Sequence, residues 1–396
     1  MIVGVPRETY PGERRVALVP GGVPSLAKAG LDVHVEPGAG AEAGYPDSDY
    51  QAQGAQMASG RPELLSTADI LLYVRGLGAN PEAGPADLAL VHSGQTVLGL
   101  LDPLGAPEAA RQLADAGVTA FALELIPRIS RAQSMDVLSS MATVAGYKAV
   151  LLAAEALPRM YPMMITAAGT ITPARVFIVG VGVAGLQAIA TSRRLGAVVQ
   201  AYDVRPEVKE QVESVGARFL EMELDTSGSE GAGGYARAQG DEFYRRQREM
   251  MAEAVSDSDV VITTAAIPGR PAPVLITGEM VGGMRSGSVV LDLAAESGGN
   301  CELTRPGETV EVDGVSILGP INVASTVPYH ASQMFARNVT AFLQELVTDG
   351  ELQLDMENPI LSDTLITHEG EVVNPRVREL LGMPNTAATA DERSSS

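Results

Sequence analysis

One stretch, residues 175–203, restricts the possible fold more than any other. Val176-Phe177-Ile178-Val179 is a run of β-branched and aromatic side chains, as a buried strand needs. Gly180-Val181-Gly182-Val183-Ala184-Gly185 follows directly, with the spacing G-x-G-x-x-G. Leu186, Ile189 and Ala190 then recur on one helical face, and the helix closes at Gly196. A second apolar run, Ala197-Val198-Val199-Gln200-Ala201-Tyr202, delivers Asp203.

Each part has a physical task. Gly180 permits a tight turn, Gly182 lets a pyrophosphate approach the backbone, and Gly185 lets the helix lie close on the strand. The first helical amides, at Val183 and Ala184, point free N–H groups and a partial positive charge at phosphate. Asp203 follows Gly185 by 18 residues, where a carboxylate accepts hydrogen bonds from a ribose diol. An acid here favours NAD over NADP, because it repels a 2′-phosphate; Arg205 pulls the other way, since a nearby arginine accommodates that phosphate. Such a glycine turn can also serve packing alone. Here strand, turn, helix, strand and acid fall in register, and the expectation is dinucleotide binding.

At 396 residues the chain has room for two or three domains. It holds no unbroken apolar run of 18 residues, so no transmembrane helix is expected. Residues 1–10 carry Arg7 and Glu8 and lack a signal-peptide core. Cys301 is the only cysteine, which suits a reducing, cytoplasmic setting. A formal charge of −21 argues against nucleic acid and against anionic lipid as partners.

Residues 1 to about 127 alternate strands and helices. Strands are expected at residues 2–5, 31–35, 70–74, 97–101 and 118–122, with helices at 21–29 and 109–116. That alternation implies a parallel sheet wound on both faces. A long helix is expected at Val137–Ala156, with later strands at 218–220, 260–263, 289–292 and 315–318 and a helix at 330–346. The fold class is therefore α/β, with two Rossmann-like, doubly wound parallel-sheet domains and a cleft between them. The expected division is 1–136 plus 330–380 for one domain and 137–329 for the NAD(H)-binding domain. Residues 385–396 are small and polar, and a disordered tail is expected there. Residues 221–240 are rich in glycine and carry Tyr235; a loop of that length is either a functional lid or a tolerated insertion.

The chain offers little for proton handling or metal binding. His34, His92, His330 and His368 have no partner by spacing, and no His, Cys or carboxylate pair has metal-ligand spacing, so no metal is expected. The better candidate is the polar run 128–139. Gln133, Asp136 and Ser139 recur every three residues and would share one face if the helix had begun. They suit a nicotinamide carboxamide. Equally, they suit a hydrogen-bonded helix start capped by Ser134 or Asp136.

Several longer runs carry a resemblance. They are Pro127-Arg128-Ile129-Ser130-Arg131-Ala132-Gln133-Ser134-Met135-Asp136, Leu138-Ser139-Ser140 and Ala145-Gly146-Tyr147. With them go the glycine turn, Gly234-Tyr235-Ala236, Thr263-Thr264-Ala265-Ala266-Ile267-Pro268-Gly269-Arg270-Pro271-Ala272-Pro273 and Gly298-Gly299-Asn300-Cys301. Over roughly residues 1–350 the chain resembles the NAD(H)-binding component of proton-translocating nicotinamide nucleotide transhydrogenase. The resemblance implies a homodimer and an enzyme of the Si-specific/Re-specific class. Hydride would pass from NADH directly to NADP⁺ on another subunit, and a transmembrane proton-channel component would couple this to proton translocation. It implies catalytic positions at Arg128, Gln133, Asp136, Ser139 and Tyr235. It implies cofactor contacts from Arg128, Ile129, Ser130 and Gln133, from the glycine turn and Asp203, Val204 and Arg205, from Gly234 and Tyr235, and from Thr264, Ala265 and Ala266. Tyr235 would close a lid over the nucleotide. Because the chain stops at Ser396 without membrane helices, it resembles the separately encoded soluble form, cytoplasmic and held at the inner or plasma membrane only through partner subunits.

Alanine dehydrogenase is the nearest other family. Its reaction needs a proton acceptor beside the reacting carbon, and relatives with that activity use a lysine and a histidine. Here Arg75 and Asp102 stand in the corresponding stretches, although Arg15 matches a substrate-binding arginine. Hydride exchange between two nicotinamides needs alignment and water exclusion instead. A non-catalytic NAD sensor is a third reading; it would have no use for a lid or for the run 128–136.

Overall fold

The computed structural model describes residues 1–221, 241–266 and 270–384. The chain divides into two compact units, Met1–Met141 with Ser325–Ser396, and Ala142–Ala324.

The first unit is built on β1 (Ile2–Val5), β2 (Asp32–Val35), β3 (Gln56–Met57), β4 (Ile70–Arg75), β5 (Thr96–Leu100) and β6 (Thr119–Ala122). They pair in the parallel order β6-β5-β4-β1-β2-β3. The order reverses between β1 and β4, so the carboxyl ends of these two strands flank a topological switch point. The sheet is not wholly parallel, as the strand-helix alternation suggested. A hairpin extends the edge beside β6: Leu365–His368 pairs antiparallel with β6, and Glu371–Val372 pairs antiparallel with Leu365–His368. A return from the distant C-terminal part of the chain makes that edge antiparallel. Helix Pro328–Leu346 belongs to this unit and buries Phe335, Val339, Phe342, Leu343 and Leu346; Phe342 meets Phe121 of β6 edge-on. The short elements Asp47–Ala52, Gln56–Met57, Arg61–Thr67 and Gly84–Leu88 have too few residues to show a period, and the sequence gives no sign of them.

The first strands of the second unit form the exposed hairpin β7 (Met164–Thr166) and β8 (Gly169–Ile171), again without a sequence signal. Its main strands are β9 (Arg175–Val179), β10 (Val198–Tyr202), β11 (Arg218–Phe219), β12 (Val260–Thr263), β13 (Val289–Asp292), β14 (Thr309–Val312) and β15 (Val315–Leu318). The sheet order is β11-β10-β9-β12-β13-β15-β14, parallel except for the edge strand β14. Strands β9 to β11 run outward on one side and β12 to β15 on the other, so the switch point lies between β9 and β12. β12 and β13 are buried at every position, which is why they read as unbroken apolar runs.

Helix Val137–Ala156 forms over the expected residues. An 18-residue window of this 20-residue helix has a mean hydropathy of 1.5 and passes the length and composition test for a membrane span, which an unbroken-run criterion misses because Lys148 and Glu155 interrupt it. Its Ala149, Val150 and Ala153 are instead fully buried in the apolar cluster formed with β9, β12 and β13. Burial in that core accounts for the apolarity of this part of the helix.

Candidate dinucleotide-binding site

The three glycines of the turn are required for three separate reasons. Gly180 has φ +91°, and a Cβ there would lie 2.9 Å from Thr264 Oγ1 and 3.0 Å from the Ala265 nitrogen. Gly185 sits on the first turn of helix Val183–Arg194, where a Cβ would fall 2.0 Å from the Gly180 carbonyl oxygen. Gly182, the N-cap, differs: a Cβ there would meet no described protein atom within 4 Å. Packing therefore explains Gly180 and Gly185 but not Gly182. Open space above Gly182, at a helix N-terminus whose first amides lack intrahelical partners, is the arrangement a pyrophosphate needs. Val183 is exposed and Ala184 half-buried beside it.

The helix packs through small residues. Gly185, Ala188, Ile189 and Ser192 are buried, and Ala190 is only partly so. The buried stripe is thus rotated from the Leu186, Ile189 and Ala190 face expected from hydrophobicity, because close approach to β9 favours small side chains over apolar ones. Gly146 makes a second close approach, with its Cβ position 2.2 Å from the Ala184 carbonyl oxygen.

Asp203 follows β10 with its side chain 7% exposed. Its Oδ2 accepts the Val181 N–H at 2.7 Å, and its Oδ1 accepts the Arg205 N–H and Nε, each at 2.9 Å. Arg205 Nη2 also donates to Asp203 Oδ2 at 3.0 Å and to the Val181 carbonyl at 3.3 Å. Arg205 is thus committed to the acid and the glycine turn. Val204 is half-buried and packs against the apolar cluster of Phe177, Val179 and Tyr202.

Thr264, Ala265 and Ala266 continue β12 on the far side of the turn. The Thr264 N–H donates to Val179 O at 2.8 Å, and Thr264 Oγ1 donates to Gly180 O at 2.9 Å. The Asn300 side chain holds both the N–H and the carbonyl of Ala265. In the sequence Asn300 stands out only as a member of a resembling run, and neither it nor Asp292 shows a task there.

The polar run belongs to the first unit. Ser130–Met135 is a 3₁₀ turn, not the start of the helix. Gln133 lies in that turn, Asp136 has extended backbone (ψ 90°), and the helix begins at Val137. The shared helical face expected for Gln133, Asp136 and Ser139 therefore does not form. Asp136 caps the helix instead: Oδ1 accepts the Ser139 N–H at 2.8 Å and Oδ2 accepts its Oγ–H at 2.6 Å. Asn338 Nδ2 donates to Ser134 O, and Arg131 pairs with Glu345, so the turn is fastened to helix Pro328–Leu346. Arg128, Ile129, Ser130 and Gln133 are exposed. Gly234 and Tyr235 lie outside the described residues, as does the tail beyond Pro384.

The first unit also holds buried acids that its sequence does not single out. Glu8, after β1, accepts the Val74 N–H at 2.6 Å and the Arg75 N–H at 3.1 Å, across the switch point from β4. Burial pushes its carboxyl up to about 8. Glu124, after β6, accepts the Leu101 and Asp102 N–H groups, and burial pushes it up to about 7. Asp102, at φ +49°, is raised by burial as well. Desolvation of this kind comes from tertiary packing and has no sequence signal. Arg15 is held by Glu13 at both ends of the carboxylate, at 2.7 and 2.6 Å, and Arg75 stacks 4.3 Å above the Tyr10 ring. Glu8, Tyr10, Glu13 and Arg61 line a cavity of about 440 Å³ here. His368 Nδ1 lies 3.1 Å from Thr119 Oγ1, a structural contact within the sheet. Among the described residues no group of three or more His, Cys, Asp or Glu could hold a metal.

Comparison with known proteins agrees with this architecture. Residues 4–145 match the family model "Alanine dehydrogenase/PNT, N-terminal domain", and residues 149–375 match "Alanine dehydrogenase/PNT, C-terminal domain". An NAD(P) transhydrogenase subunit alpha polypeptide of Rhodospirillum rubrum is 46% identical over 95% of this chain and 98% of its own. The crystal structure of transhydrogenase from Sinorhizobium meliloti superposes with a TM-score of 0.85 at 46% identity, covering 94% of this chain and all of that one (100%). An L-alanine dehydrogenase structure gives a TM-score of 0.80 at 27% identity, covering 96% of this chain and 99% of its own.

Proposed function

The chain belongs to the alanine dehydrogenase/PNT family, and within it we propose that this protein is the NAD(H)-binding alpha subunit of a proton-translocating NAD(P) transhydrogenase. The observation that carries the reading is Gly182, a glycine with open space above it at a helix N-terminus, beside the Asp203 carboxylate. The likeness to a transhydrogenase alpha subunit at 46% identity, against 27% for L-alanine dehydrogenase, supports the choice within the family.

In this proposal the amides at the start of helix Val183–Arg194 hold the pyrophosphate, and Asp203, steadied by Arg205, takes the ribose of NAD(H). Arg205 is paired with Asp203, which favours NAD(H) over NADP(H) on this chain. Bound NADH supplies a hydride, which reduces NADP⁺ on a partner subunit, and a membrane component couples the exchange to proton translocation. Arg128, Gln133, Asp136 and Ser139 are assigned to the nicotinamide end and Tyr235 to closure, on the resemblance. The subunit is peripheral to the membrane through its partners and has the Si-specific/Re-specific stereochemistry.

A homodimer is part of the proposal, and the hairpin β7–β8 supports it. Met163, Ile165 and Ile171 are 58%, 75% and 43% exposed. A two-stranded hairpin is marginal by itself, and an apolar patch of this kind favours a partner surface.

Alanine dehydrogenase activity is the second reading. The near-neutral acids Glu8 and Glu124 favour it, since the first unit is less poor in proton-handling groups than its sequence suggests. One experiment separates the two. NADH and NADPH are titrated against the purified chain by nucleotide fluorescence, and alanine is then added with NAD⁺. The transhydrogenase reading expects tight NADH, weak NADPH and no alanine oxidation. It also expects NADH oxidation only when an NADP(H)-binding component and NADP⁺ are supplied. Steady NAD⁺ reduction by alanine overturns it.

A further inference from the structure

Asp292 ends β13 and is fully buried (0% exposed). Its Oδ1 accepts from Thr263 Oγ1 and the Ala294 N–H, each at 2.9 Å. Its Oδ2 accepts from the Asn300 N–H at 2.7 Å, the Cys301 N–H at 3.0 Å and Thr304 Oγ1 at 2.7 Å. All these donors are neutral. A carboxylate withdrawn from water at the carboxyl end of a strand is costly unless such donors replace the solvent.

Asn300, also 0% exposed, passes this anchor on. Its Oδ1 accepts the Ala265 N–H at 2.9 Å, and its Nδ2 donates to Ala265 O and Pro273 O, each at 2.8 Å. Its own carbonyl accepts the N–H groups of Leu275 and Ile276. Both side-chain donors and its acceptor are spent on backbone, which leaves the side chain one orientation. The next residue back, Thr264, bonds Gly180 O. A continuous path therefore runs from Asp292 through Asn300 and residues 264–265 to the glycine turn.

Asp203 lies on the β10 side of the switch point and this path on the β12–β13 side. A dinucleotide crossing the switch point with its adenosine ribose at Asp203 lays its other half over β12. We propose that Asp292 and Asn300 are a positioning pair that sets the backbone of residues 264–266 for the nicotinamide half of the bound nucleotide. The proposal rests on the dinucleotide reading above. Neither residue touches the nucleotide; both act through Ala265.

The test compares NADH with AMP, which lacks the nicotinamide half, against wild type and Asn300→Asp. The variant keeps the size of the side chain and its acceptor but loses both Nδ2 donations. NADH affinity should fall about tenfold or more, while AMP affinity changes by less than about twofold. Equal losses for both ligands would make the pair merely structural, and unchanged NADH affinity would also overturn the proposal. Should Asn300→Asp fail to fold, Thr304→Val removes one donor from Asp292 and leaves Asn300 in place. A smaller loss confined to NADH is expected there, and no loss or an equal loss again overturns it. Wild-type protein that binds AMP and NADH equally weakly removes the dinucleotide reading itself.

Discussion

Asp203 and Val181 are joined across the glycine turn: the carboxylate takes the Val181 N–H at 2.7 Å while Arg205, paired to the same carboxylate, reaches the Val181 carbonyl at 3.3 Å. The acid expected to meet a ribose is therefore also a strut of the turn expected to meet the pyrophosphate. One substitution should disturb both.

Asp203→Ala is expected to weaken NADH binding by about 1–3 kcal/mol, or roughly ten- to a hundredfold. Asp203→Asn keeps an acceptor for Val181 but loses the pairing with Arg205, so its loss should be smaller. Fluorescence titration of both variants checks this. Unchanged affinity in Asp203→Ala would remove the ribose assignment.

Gly182→Ala and Gly185→Ala should fail differently. At Gly185 the new methyl meets a backbone oxygen at 2.0 Å, so the helix must shift, at a cost of about 1–3 kcal/mol. Melting temperature and NADH affinity should fall together. At Gly182 no described protein atom is met, so stability should hold while NADH affinity drops. Calorimetry beside the titration separates them, and normal NADH binding by Gly182→Ala would count against a pyrophosphate there.

Asp136→Ala should destabilise by about 1 kcal/mol through loss of a helix cap. Asp136→Ser restores an acceptor for the cap. If the serine variant recovers stability but not hydride transfer, the carboxylate has a task beyond capping; recovery of both leaves Asp136 a cap alone. Gln133, exposed in its turn, should lose transfer on change to Ala with the melting temperature intact.

Glu124 gives a pH prediction with a definite sign. Its folded value of about 7 lies above the ordinary 4.5. Between those values the folded chain keeps a proton that the unfolded chain releases, so this group lowers stability as pH rises from 4.5 through about 7. Glu124→Gln keeps the Oε1 acceptor for Leu101 and Asp102 and removes the titration. The variant should therefore gain melting temperature relative to wild type on going from about pH 5 to about pH 8. A difference independent of pH would show that Glu124 does not titrate there.

Ile165→Asp in the exposed hairpin should convert a dimer to monomer in sedimentation equilibrium without lowering NADH affinity. A dimer unchanged by this charge would move the proposed interface elsewhere.

Residues 175–203 are legible because each requirement there is local. A buried strand needs consecutive apolar residues, a turn at φ +91° needs glycine, and the acid comes at a set distance along the chain. The strands β1, β4, β5, β6, β9, β10, β12, β13 and β15 and the helix Val137–Ala156 are legible for the same reason, since burial writes its period into neighbouring residues. The short elements Asp47–Ala52, Gln56–Met57, Arg61–Thr67 and Gly84–Leu88 lack a continuous apolar run, and the edge strand β14 carries a half-exposed pattern. Tertiary structure alone decided the rest. Glu8 and Glu124 owe their raised values to burial in the folded chain. Asp136 is a cap because the helix begins one residue after it. Asn300 holds Ala265 from 35 positions away, and Asp292 holds Thr263 from 29. Hydrogen bonds over such separations depend on where the sheet brings the strand ends, which no local spacing encodes.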